Sequence, residues 1–114
     1  MKKRDLLFLS HILDACAQII EYIENINFVT FQKTRLIQSA VIRELEIIGE
    51  ATKNLTSDIR NNFKDIPWKK ITGMRDKLSH GYFTVDLKEV WNTAKKNISP
   101  LKMSIEKIIR NIDE

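Results

Sequence analysis

The feature that most constrains this chain is the spacing of apolar residues near its end. Leu87, Trp91, Ala94, Ile98, Leu101, Ile105, Ile108 and Ile112 recur at intervals of four and three, the repeat of one face of an α-helix at 3.6 residues per turn. A half-buried strand would alternate at every second residue, so this stretch predicts a long bundle helix. Asp86 precedes it and suits an N-cap, because its carboxylate can accept the free amides of a first turn. Pro100 interrupts the stripe without breaking its register. It removes one backbone hydrogen bond and crowds the preceding turn, which predicts a kink or a restart capped by Ser99.

Leu6, Leu9, Leu13, Cys16, Ile20 and Ile23 mark a first helix by the same spacing. Phe8, Ile12, Ile19 and Ile26 form a second stripe, about 120° away by the 100° step of a helix. This helix is therefore expected to touch neighbours on two sides, one of which a second subunit would be able to supply. Residues 25–34 show no stripe and read as the first turn. A second helix, residues 32–55, places Ile37, Val41, Ile48, Ala51 and Leu55 on one face, with Glu44 inside that face. Thr56 or Ser57 caps a short third helix reaching Phe63. A fourth starts at Asp65-Ile66-Pro67-Trp68, where proline suits the first turn, and ends at Gly81.

Only three glycines and two prolines occur in 114 residues, which disfavours a turn-rich all-β fold. The length fits one core. The expectation is a single all-α domain, residues 1–114: an antiparallel four-helix bundle with one additional short helix. The single cysteine, Cys16, excludes an internal disulfide and reads as a small apolar residue in a reducing compartment such as the cytosol. Ser10, His11 and Asp14 interrupt the apolar start of the chain, against a signal peptide or a membrane span.

Lys and Arg outnumber Asp and Glu by 19 to 15, a net charge of +4. Residues 60–80 hold six basic and two acidic residues, while the rest of the chain holds 13 of each, so the excess sits in this one segment. A basic run suits a polyanion, although alone it is also the ordinary look of a solvated helix. Within it, a helix over residues 67–80 puts Trp68, Ile71, Met74 and Leu78 on one stripe and Arg75 beside that stripe. A guanidinium drawn toward a core must be paired. Glu44 is one candidate partner, in a fold-specifying ion pair, and an active-site role for Arg75 is the other reading.

His80 lies five residues beyond Arg75, about 140° around the helix, so one helix does not aim both at one point. Gly73 and His80 share a face, and a glycine there lets another backbone come close. These positions predict a two-fold interface that brings two histidines and two arginines around one cleft. Asp76, four residues before His80, can hydrogen-bond its imidazole; alternatively His80 is an ordinary helix-end histidine favoured by the dipole. His11 falls opposite the main stripe of the first helix and reads as a solvated residue more readily than as an RNA contact. Glu46 and Glu50, four apart, read as solvated or interfacial. A di-metal bundle would need Glu-x-x-His pairs, and the sequence has none.

Arg75, His80 and Tyr82 spell Arg-x4-His-x-Tyr. Around them stand Arg4-Asp5, His11-Ile12-Leu13-Asp14-Ala15, Ile47-Ile48-Gly49-Glu50-Ala51, Ile66-Pro67-Trp68, Gly73-Met74-Arg75-Asp76, and Val85-Asp86-Leu87 through Val90-Trp91. In order and spacing these resemble the HepT-like HEPN ribonuclease toxins across nearly the whole chain. The resemblance implies a metal-independent endoribonuclease without a cofactor, the toxic half of a toxin-antitoxin pair, acting as a homodimer with the motif at its interface. It implies His80 as general acid or base for attack of the ribose 2′-hydroxyl and Arg75 as stabiliser of the phosphorane-like transition state.

The same resemblance implies a small nucleotidyltransferase antitoxin, MntA-like, that adds AMP to Tyr82. A bulky anion two residues from His80 would block the cleft and repel RNA phosphates. Lys69, Lys70 and Lys77 are expected to hold the RNA backbone without reading sequence. The alternative is a catalytically silent HEPN module that binds a nucleotidyltransferase or nucleotide, and a simple helical scaffold is the third class.

Overall fold

The computed structural model describes residues 3–80 and 86–112, with the side chains of Ser79 and His80 excepted. Gly81 and Tyr82, and with them the predicted end of the fourth helix, lie outside the described residues. Within them every regular element is helical: α1 Lys3–Ile23, α2 Phe28–Lys33, α3 Arg35–Lys53, α4 Ser57–Asn62, α5 Trp68–His80, α6 Leu87–Asn92, and α7 Ile98–Ile112, with a π-helical turn, Thr93–Asn97, joining α6 to α7. The predicted all-α bundle of four main helices is present. It carries two short helices, where the sequence predicted one.

The second is α2, which occupies residues read as a turn. Asn27 caps it, its side chain accepting from the Thr30 amide at 2.9 Å, and Phe31 sinks fully into the core against Trp91. Phe28 also meets the Trp91 ring, with centroids 6.2 Å apart, and one cap with two aromatic anchors suffices for six residues, too few to show a periodic stripe. Consequently α3 begins at Arg35, later than the predicted start at residue 32.

In α1 the buried residues Leu9, Ile12, Cys16, Ile19 and Ile23 run between the two predicted stripes. The helix is sandwiched, and its two neighbours are α3 and α7 of the same chain. By length and apolarity α1 would also pass as a membrane span, but its most apolar line is the bundle core. The Cys16 thiol is buried there, and that burial pushes its pKa up to about 12. Side-chain links fix α1 and α3 as antiparallel: Arg4 reaches Asn54 at 3.1 Å near the start of α1, and Tyr22 reaches Glu44 at 3.3 Å near its end.

Asp5 is 1% exposed, and its carboxylate takes the Thr56 amide at 2.9 Å and the Thr56 hydroxyl at 2.7 Å. Thr56 is the N-cap residue of α4, as predicted, but its hydroxyl turns to Asp5 and makes no cap bond of its own. Pro67 stands just before α5, its carbonyl accepting from the Ile71 amide at 3.1 Å. Asp86 caps α6 through the amides of Lys88 and Glu89. The predicted disturbance at Pro100 takes the form of the π turn, which lies immediately upstream, where a proline ring crowds the carbonyl four residues before it.

Candidate active site

Arg75 is placed by a close approach of two helices. Gly49 is buried on α3, and a Cβ built on it would lie 2.6 Å from Arg75 Cγ and 3.3 Å from Arg75 Cα. A glycine in a helix interior costs roughly 1 kcal/mol relative to alanine, so it needs such a reason to be there. Here the missing side chain lets α5 settle onto α3 and carries the stem of Arg75 across Gly49.

From that seat the guanidinium is held by two carboxylates. Nη2 lies 2.9 Å from Glu50 Oε2 and Nη1 lies 3.2 Å from Asp76 Oδ1. Lys53 Nζ also reaches Asp76 Oδ1, at 2.5 Å. The hydrogen bond from Lys53, ahead of that from Arg75, holds the Asp76 carboxyl below the usual carboxylate range. Among the described residues these contacts use two of the five N–H donors of Arg75, and its side chain stays 28% exposed. The arginine is aimed but not used up.

Glu44 is therefore not the partner of Arg75. It accepts from the Tyr22 hydroxyl, whose pKa is raised by partial desolvation and by the Glu44 carboxylate itself. Glu50, read as solvated or interfacial, takes the place assigned to Glu44. The sequence signal was the neighbouring Gly49: a glycine on the buried face of a helix marks where another helix passes closest, and its flanking acid is in reach of whatever passes.

Arg75 opens onto a cleft of about 200 Å³ that it shares with His11 and Phe8 of α1 and Arg43, Glu46 and Glu50 of α3. Sequence reasoning missed this company for Arg75, because it is assembled from three helices. The predicted lysines lie elsewhere. Lys70 lines a separate, largely apolar groove of about 290 Å³ between α5 and α7, Lys77 pairs with Glu89 at 3.1 Å, and Lys69 is exposed at the start of α5. His80 closes α5, while its side chain and Tyr82 fall outside the described residues, so the expected contact between His80 and Asp76 does too.

The family model of the HepT-like ribonucleases matches residues 12–108. The chain belongs to the HepT-like ribonuclease family. Among proteins similar to it, one from Methanocaldococcus jannaschii, named as a candidate RNase, is 46% identical over 99% of this chain and 94% of its own length. "Probable ribonuclease HepT" of Thermococcus cleftensis is 43% identical over 95% of this chain and 98% of its own. A further candidate RNase, from Caldanaerobacter subterraneus, is 43% identical over 90% and 92%. No solved structure matches the chain. As a HepT-like ribonuclease it is an RNA-cleaving enzyme, and the site facing solvent between α1, α3 and α5 offers what such an enzyme needs: oriented guanidinium donors that fit phosphate oxygens in a forked geometry.

Proposed function

We propose that this HepT-like ribonuclease is the toxic component of a toxin-antitoxin pair, an endoribonuclease that cuts RNA without a metal. The observation that carries the reading is Arg75, fixed by Glu50 and Asp76 with donors to spare. Preorganised donors of this kind stabilise charge that develops on a phosphate in the transition state. His80, on the next turn of α5, takes the proton of the ribose 2′-hydroxyl as that oxygen attacks the adjacent phosphorus. The helix phase between Arg75 and His80 favours a homodimer in which two copies complete the site. Gly73 supports it: it is exposed, with open space where its Cβ would stand.

Tyr82 is the site at which a nucleotidyltransferase antitoxin adds AMP, silencing the enzyme by steric block and by charge. Lys69, Lys70 and Lys77 draw in the RNA backbone. Neutralising the three together should weaken RNA binding and flatten its salt dependence by about three in the log-log slope at most.

The test is cleavage of RNA by purified, unmodified protein in the presence of EDTA. Wild type should cut, and Arg75→Ala and His80→Ala should each lose roughly 10²-fold or more. Equal cleavage by His80→Ala overturns the site. No cleavage by wild type favours a silent module that binds its partner. Intact mass after co-expression with a nucleotidyltransferase should rise by whole AMP units mapped to Tyr82; a Tyr82→Phe protein that gains the same mass would remove the tyrosine from the scheme.

A further inference from the structure

Cleavage by 2′-hydroxyl attack moves two protons. One leaves the 2′-oxygen as it bonds to phosphorus, and one must reach the 5′-oxygen as its bond to phosphorus breaks. One motif imidazole accounts for the first, and the second proton must come from the motif histidine of the second copy or from another imidazole beside Arg75. The sequence contains only one other histidine, His11, and the fold puts it on the cleft that Arg75 enters.

We propose that His11 is a second catalytic residue, the acid that protonates the departing 5′-oxygen. The inference rests on the ribonuclease reading above. Arg75 and Arg43, which line the same cleft, bring the phosphate into it. His80 takes the 2′-proton, the 2′-oxygen to phosphorus bond forms, and the phosphorus to 5′-oxygen bond breaks. The imidazolium of His11 gives its proton to the 5′-oxygen, leaving a 2′,3′-cyclic phosphate and a 5′-hydroxyl end. Water later restores the proton on His11.

The placement favours this role in three ways. His11 is exposed to the cleft yet braced: its ring meets Phe8 edge-on, with centroids 5.8 Å apart and planes at 88°, and Arg4 lies over the same Phe8 ring at 5.6 Å. The charged groups facing it are Arg43, Glu46 and Glu50 from α3 and Arg75 from α5, and among these side chains imidazole alone exchanges protons readily near neutral pH. The cleft, at about 200 Å³, is smaller than the roughly 300–1,000 Å³ of sites that enclose a whole small ligand, and so suits one phosphodiester of a longer strand.

The experiment compares a dinucleotide with its analogue in which sulfur replaces the bridging 5′-oxygen, a leaving group that needs no proton. Wild type should cut both. His11→Ala should slow the oxygen-linked substrate by roughly 10²-fold or more and cut the sulfur-linked one at close to the wild-type rate. That second rate also serves as the control for folding. His80→Ala should be slow on both. Equal slowing of both substrates by His11→Ala, or no slowing of either, overturns the role while the ribonuclease reading stands. Failure of wild type to cut the oxygen-linked substrate and the longer RNA of the cleavage test alike removes both.

Discussion

Helices α1 and α5 are held in the bundle by different physics. α1 buries a continuous aliphatic line against two neighbours, α3 and α7. α5 leans chiefly on α3, and among its described residues only Trp68 and Leu78 are buried. What locates α5 is the gap at Gly49 together with the contacts of Arg75 and Asp76 to Glu50 and Lys53. A helix tucked in on two sides has its residue types fixed by packing. One that rests on a single neighbour keeps most of its circumference for charge, and here that freedom carries Arg75 and His80. Stability and activity should separate along this division.

The largest effect should come from the aliphatic side. Ile12→Ala, at a side chain with no exposure, removes core volume that the sandwiched helix cannot easily refill, and should cost about 2–5 kcal/mol. Denaturant titration measures the loss, and RNA cleavage well below the melting midpoint should remain near wild type. A variant of unchanged stability would mean that α1 is not the core of the bundle.

Gly49→Ala crosses the division. Alanine gains roughly 1 kcal/mol in helix propensity, but its methyl would meet the backbone of Arg75 as well as its side chain, and overpacking of that kind costs about 1–3 kcal/mol. The clash should win, so that both the melting temperature and the cleavage rate fall. A protein that gains stability and keeps its rate would show that α5 is not seated by this gap.

Glu50→Gln should spare stability, since a half-exposed ion pair is worth at most about 1 kcal/mol. It should nevertheless lower the cleavage rate by roughly tenfold to a hundredfold, because the guanidinium is then held by Asp76 alone. Single-turnover kinetics beside a thermal melt would separate the two. An unaltered rate would leave Asp76 as the sole positioning acid.

The smallest effect concerns pH. The Asp76 carboxyl lies below its ordinary value of 3.8 because Lys53 and then Arg75 hydrogen-bond its charged form. A group depressed in the folded state contributes stability above its unfolded value and loses it as the pH falls through the folded one. The difference in melting temperature between wild type and Asp76→Asn should therefore be present at pH 5 and shrink at pH 3. A constant difference would show that the charge on Asp76 adds nothing.

The comparison also explains what was legible beforehand. Long aliphatic stripes announced α1, α3 and the final helix, since periodicity records packing directly. α2 escaped because its hold is two aromatics, Phe31 and Phe28, against Trp91, and a cap. The site escaped in part for a related reason. The Arg75-to-His80 motif lies on one helix and could be recognised as a string, whereas the partnership of Arg75 with Glu50, and its meeting with His11 and Arg43, depends on how three helices lie against one another. Glu44 looked like the partner because it fell inside the apolar face, but a face wide enough to meet both α1 and α5 places acids on either flank, and Glu44 belongs to the α1 side.

The bond pair from Asp5 to Thr56 joins the first turn of α1 to the start of α4, 51 positions apart in the chain. Helix ends normally fray independently, opening and closing with free energies near zero. Here neither end can open without pulling Thr56 away from the buried Asp5 carboxylate. In deuterium exchange the Thr56 amide should therefore resist like an interior position, and replacing Asp5 by alanine should release it and the leading turn of α1 together, as one cooperative unit.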